Sequence, residues 1–176
     1  SDQIPLIPLK GKDICAFDTW AIRGKPLAQN GVRNCAIYLL DVEGYLGREP
    51  NFSAIRSVMG DNKEIWLDIG ARRVSDATDC LILGAEKTFL NTRNLTGFEE
   101  IEKARELSDS IGVTFDLDQN GVVRGFPGCR LESLLGRTLQ MGIEVIIMTH
   151  LRFPIERLMS YLTIVEKVYL CGSFGN

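Results

Sequence analysis

Six short apolar runs, each closed by a polar residue or glycine, constrain this chain more than any other feature. They read Ala36-Ile-Tyr-Leu-Leu40 before Asp41, Glu64-Ile-Trp-Leu67 before Asp68, Cys80-Leu-Ile-Leu83 before Gly84, Gly112-Val-Thr-Phe115 before Asp116, Glu144-Val-Ile-Ile-Met148 before Thr149, and Lys167-Val-Tyr-Leu-Cys171 before Gly172. Runs this short and this continuously apolar suit strands buried on both faces, as in a parallel sheet. The intervals between them read as helices. Phe98, Ile101, Ala104, Leu107 and Ile111 recur at helical spacing, Thr96 precedes Glu99 and Glu100 in a capping arrangement, and Gly112 is placed to stop that helix. Further helices are expected over Asn51–Met59, Leu131–Met141 and Pro154–Val165. Strand alternating with helix predicts a parallel α/β fold.

An open doubly wound sheet and a (β/α)8 barrel share that alternation. The barrel is favoured because polar residues or glycines close nearly every strand at its C-terminal end, where barrel enzymes build their sites. No G-x-G-x-x-G follows the first strand, and no G-x-x-x-x-G-K-[ST] loop is present. The expected architecture is therefore one (β/α)8 barrel domain over residues 1–176. The join from Gly70 to Asp79 is barely long enough for a crossover, and Thr149 to Pro154 leaves almost no loop. Some loops and the last strand are accordingly expected to lie outside this chain.

Composition narrows the function. The 176 residues are 45% hydrophobic and 24% charged, with a net charge of −3, which suits a soluble domain with a sizeable core. That balance argues against a nucleic-acid partner, which needs a basic surface. No apolar run approaches a membrane span of about 18–20 residues. The five cysteines are scattered without a C-x-x-C pair, so neither a disulfide framework nor a zinc ribbon is expected. Together with a start that lacks signal-peptide character, this makes the cytoplasm the expected location. A single histidine, His150, excludes a multi-histidine metal site. Asp116-Leu-Asp-Gln-Asn-Gly121 spells half of a calcium loop, but Pro127 stands where its closing Glu belongs. No metal or other cofactor is expected.

Registered strands would gather Asp41, Glu43, Asp68, Asp116, Asp118 and Thr149 at one face, joined by Gly70, Gly84, Gly172 and Ser173. Carboxylates across a barrel mouth can divide acid and base duties, and glycine amides approach a phosphate without a Cβ in the way. Asp and Gly also stop strands and start turns, so the weight lies in the repetition. Asp116 leads, because Val113-Thr-Phe115 sets it at the rim of a buried core. Asp118, two residues on, would share its face in a regular strand.

Several segments carry a family resemblance: Asn30 to Gly44, Leu67-Asp-Ile-Gly-Ala-Arg-Arg73, Leu83-Gly-Ala-Glu86, Val113-Thr-Phe-Asp116 and Tyr169-Leu-Cys-Gly-Ser173. From about residue 30 onward the chain resembles the phosphoribosyl-formimino-AICAR ribotide isomerases of histidine biosynthesis and their uncharacterised archaeal and methylotroph relatives. Asp41-Val-Glu-Gly44 is similar to the family's D-x-D-G, Gly70 and Arg72 to its G-G-I-R loop, and Gly84 to its G-T phosphate turn. Asp116 falls on its strand-five catalytic aspartate, and Gly172-Ser173 on its paired-glycine phosphate loop. The resemblance implies a phosphate-binding barrel in which Asp116, with Asp41 or Asp118, moves protons. Gly70, Arg72, Gly84, Thr149, His150, Gly172 and Ser173 would hold a phosphorylated small molecule. The family's strand-one aspartate finds Pro8 in Ile4-Pro-Leu-Ile-Pro-Leu-Lys-Gly11, so either that base is missing or the true first strand lies outside this chain.

Three readings follow. The first is an isomerase-type enzyme acting on a phosphorylated sugar or phosphate-bearing intermediate. The second, implied by the relatives, is a step in one-carbon cofactor biosynthesis of the methanopterin or methanofuran type. The third is a non-catalytic barrel that binds a ligand or joins a complex. Oligomerisation is left open. An aspartate on strand one would favour catalysis, and its absence the binding reading.

Overall fold

The computed structural model describes residues 6–10, 13–14, 37–59, 64–149 and 167–171. In chain order these form β1 (Leu6–Lys10), β2 (Asp13–Ile14), β3 (Ile37–Asp41), α1 (Val42–Tyr45), α2 (Phe52–Met59), β4 (Ile65–Asp68), α3 (Val74–Ile82), β5 (Lys87–Asn91), α4 (Glu99–Leu107), β6 (Ile111–Asp116), α5 (Leu131–Gln140), β7 (Val145–Thr149) and β8 (Lys167–Cys171). The two-residue β2 pairs antiparallel with β1, and all other pairings between these strands are parallel, in the order β1-β3-β4-β5-β6-β7-β8. The helices α2, α3, α4 and α5 all pack on the same face of the sheet. A doubly wound sheet would instead reverse its order at a switch point. The winding is that of a (β/α)8 barrel, as the alternation predicts, with seven of its parallel strands among the described residues.

Alternation along each strand divides the core into two shells. Leu39, Ile65 and Leu67 face outward and pack with Ala54 and Ile55 of α2 and with Cys80 of α3. Leu90, Val113, Phe115, Ile146 and Met148 do the same against Ile101 and Ala104 of α4 and Leu134 and Leu135 of α5. Alternate residues point the other way. Tyr38, Phe89, Val145 and Ile147 form a separate cluster with Leu40 and Trp66, which fills the barrel interior. Phe89 stands edge-on to Tyr38 at 5.2 Å between ring centroids and tilted against Trp66 at 5.6 Å.

Three sequence expectations are overturned. Cys80-Leu-Ile-Leu83 is not a strand: it is the end of α3, and the strand in this unit is Lys87–Asn91. A four-residue apolar run cannot distinguish a buried strand from the apolar face of a helix end. With the strand relocated, residues 69 to 86 provide ample room for the β4–α3–β5 crossover, so the apparent shortage at Gly70–Asp79 disappears. Thr96 does not cap α4, because its hydroxyl donates to the Arg72 carbonyl and Phe98 occupies the cap position. Gly112 lies inside β6 and leaves the space that the Phe89 ring fills. The expected helix over 154–165 falls outside the described residues.

Candidate active site

Among the described side chains, the residues that alternation turns into the barrel at the strand C-terminal ends are Asp68, Asn91, Thr114 and Asp116, and all four are buried. The first three form a polar layer directly above the aromatic cluster. Tyr38 donates its hydroxyl to Asp68 Oδ2 at 2.5 Å and lies 3.1 Å from Thr114 Oγ1. Asn91 Nδ2 donates to the same Asp68 oxygen at 3.1 Å, and the Gly70 amide donates to Oδ1 at 2.9 Å. Burial pushes the Asp68 carboxyl above the ordinary aspartate range, against the lowering effect of these donors.

That shift has a signed consequence. A raised folded-state value means that the folded protein holds its proton after the unfolded chain has lost it. The resulting stabilisation is present below the ordinary aspartate range and is lost as pH rises through the raised value. Asp68→Asn should therefore narrow its stability gap to the parent as pH rises from 4 to 8, as measured by urea unfolding. A gap that widens with pH would contradict this account of Asp68.

Asp116 closes β6 one step further toward the mouth and is fully buried. Its Oδ2 accepts the Tyr45 hydroxyl at 2.8 Å and lies 3.5 Å from Arg93 Nη1, while its Oδ1 lies 3.5 Å from Arg124 Nε. Arg93 also stacks over the Tyr45 ring, 4.7 Å from the centroid. Burial, and then the Asp116 charge, push the Tyr45 phenol well above its usual range, so it stays a donor at neutral pH. The Asp116 amide donates to Thr92 Oγ1 and the Asp116 carbonyl accepts from the Arg124 amide, which fixes both ends of the residue.

The other predicted residues take different places. Asp41 faces outward from β3: its Oδ2 accepts the amides of Gly44 at 2.9 Å and Asn51 at 3.3 Å, so it anchors α1 and the start of α2. Its buried carboxyl is likewise raised by desolvation. Asp118 does not share a face with Asp116, because the strand ends first. Its Oδ1 accepts the amides of Asn120 and Val122, which holds the carboxyl below the usual range and closes the loop after β6. Gly70 packs against Gly44, leaving no space for a Cβ on either residue, and its amide is already engaged by Asp68. The Arg72 guanidinium donates to the Gly47 carbonyl and braces the loop after α1. Gly84 follows α3, its amide bonded to the Leu81 carbonyl, and lies before β5 at the opposite end of the barrel. The expected phosphate turn there is corrected accordingly. Thr149 ends β7 in register with Asp116 and Cys171. His150, Gly172 and Ser173 lie outside the described residues.

Sequence reading missed Tyr45, Asn91, Arg93 and Arg124. Asn91-Thr-Arg93 would have been legible as a polar strand end had β5 been placed correctly. Tyr45 ends the four-residue α1 and Arg124 lies in the connection after β6, and no periodicity marks either. On β1, which pairs parallel with β3, Leu9 lies level with Asp41 and the strand Leu-Ile-Pro-Leu-Lys carries no carboxylate. Among the described residues no cluster of three His, Cys, Asp or Glu side chains is placed to hold a metal, and no helix is long and apolar enough to cross a membrane.

Comparison with known proteins agrees with this architecture. The sequence profile of the family described as "Histidine biosynthesis protein" matches residues 25–152. Among solved structures, 3-hexulose-6-phosphate synthase from Salmonella typhimurium superimposes with a TM-score of 0.54 at 15% identity, covering 79% of this chain and 67% of that one. At that identity the similarity shows a shared fold. No curated protein matches the chain significantly.

Proposed function

Because the chain belongs to the histidine biosynthesis protein family, we propose that it is a barrel enzyme acting on a phosphorylated sugar or a related phosphate-bearing intermediate at the C-terminal ends of its strands. The observation that carries this reading is the fully buried Asp116 carboxylate, held at the barrel mouth by Tyr45, Arg93 and Arg124. In such a site the carboxylate accepts a proton from a carbon beside a carbonyl or imine and returns it one carbon away, which is the proton movement of an aldose–ketose type isomerisation. Arg93 lies beside the acceptor oxygen and stabilises negative charge that develops on the substrate. Asp41, which faces outward from β3, and Asp118, which lies in the loop beyond β6, are not placed beside Asp116 to assist it. The structurally similar 3-hexulose-6-phosphate synthase takes its name from a sugar phosphate, which is consistent with this substrate class.

One observation favours a second reading, a barrel that binds such a ligand without isomerising it. β1 carries no carboxylate opposite Asp116 to serve as a second acid–base group. A test of the shared premise is titration of the 15N-labelled protein with a panel of phosphorylated aldoses and ketoses. Shifts should concentrate at Arg93, Asp116 and Arg124. Shifts confined to Gly84 and the other connections at the N-terminal ends of the strands would overturn both readings.

A further inference from the structure

Beside Asp116, Arg93, Asp118, Val122, Arg124 and Pro127 line a groove of about 370 Å³, within the ~300–1,000 Å³ range of small-molecule sites. Asp116 uses little of the donor capacity of the two arginines. Each guanidinium has five N–H donors. Arg124 meets Asp116 through Nε and also feels the Asp118 charge in the same groove. Arg93 meets Tyr45 and Asp116 through Nη1. Both side chains are partly open to solvent, 35% for Arg93 and 45% for Arg124, while the carboxylate that aligns them is fully covered. The remaining acid in the lining, Asp118, directs its Oδ1 at two loop amides. The loop that carries Arg124 is fixed against β5: a Cβ on Gly125 would overlap the Thr92 carbonyl oxygen and come 3.1 Å from its carbon.

We infer that Arg93 and Arg124, aligned from below by Asp116, form a subsite for a phosphate group of the substrate, at the ends of β5 and β6 rather than at Gly70 or Gly84. This assignment rests on the proposed substrate class and deepens it. Paired guanidiniums suit a phosphate dianion because they present planar, forked donors to its oxygens.

The probe is inorganic phosphate, titrated calorimetrically into the full chain against acetate, with sodium chloride holding ionic strength constant. Phosphate should bind at least tenfold more tightly than acetate. Arg93→Gln and Arg124→Gln should each weaken phosphate binding about tenfold or more, whereas Arg137→Gln, on the outer helix surface, should leave it unchanged. If Arg93→Gln fails to fold, Arg124→Gln still decides, because Asp116 then keeps both Arg93 and Tyr45. Equal affinity for phosphate and acetate, or an affinity unchanged in Arg124→Gln, overturns the assignment. If the double variant binds phosphate normally while sugar phosphates still shift the β6 end, the arginine subsite alone is refuted and the substrate class stands.

Discussion

Replacing Gly44 with alanine should destabilise the protein by about 3 kcal/mol or more, near the upper end for overpacking a core. A Cβ at this position would overlap the Ile69 carbonyl oxygen and come 2.8 Å from the carbonyl carbon. Both are backbone atoms at the end of β4 and have no rotamer by which to yield. The reciprocal contact is as close, because a Cβ on Gly70 would overlap the Gly44 carbonyl and lie 2.8 Å from the Tyr45 amide. Gly70 also has φ +65°, where any side chain adds strain. This glycine pair lets α1 lie directly against Ile69 and Gly70, just past the end of β4, and α1 ends with Tyr45, whose hydroxyl reaches Asp116. Urea unfolding of Gly44→Ala measures the loss, and shifts at the Asp116 amide report whether Tyr45 has moved. An alanine variant within about 0.5 kcal/mol of the parent would show that this packing is not what positions Tyr45.

The legible and illegible parts of the sequence separate on physical grounds. β3, β4, β6 and β7 could be read because their described residues are buried or nearly so on both faces and give unbroken apolar runs, and β8 was read from its apolar run alone. β5 could not: it begins with Lys87 and ends with Asn91, and its interior face carries one large apolar residue, Phe89. The neighbouring Cys80-Leu-Ile-Leu83 imitates a strand because α3 ends with its buried face and its exposed Ile82 adjacent in sequence. That single displacement concealed Asn91 and Arg93 and moved the expected phosphate turn to the wrong end of the barrel. Asp116 was legible from its strand. Its partners were not, since Tyr45 lies 71 residues away in sequence and meets it only when α1 folds over the barrel mouth. Asp41 and Asp118 show the converse: an acid at a strand end is as well suited to holding backbone amides as to chemistry, and the strand's alternation decides which role it takes.

The largest functional effect is expected at Asp116. Asp116→Asn changes the volume little and keeps an oxygen that can accept the Tyr45 hydroxyl. Arg93 and Arg124 are open enough to solvent to recover hydration when the carboxylate charge is gone, so the fold should persist. Proton transfer should not: loss of a positioned general acid–base group costs about 10²–10⁴-fold in rate. Asp68→Asn is a useful contrast, because Asp68 lies one layer below, bonded to Tyr38, Asn91 and Gly70. Its loss should lower stability more than it lowers turnover. The decisive measurement is kcat/KM of parent and Asp116→Asn on whichever phosphorylated sugar the titration panel identifies, with melting curves recorded on the same samples. A folded variant with a 10²–10⁴-fold lower kcat/KM is the expected result, and a folded variant with full turnover would contradict the account and place the chemistry elsewhere on the barrel.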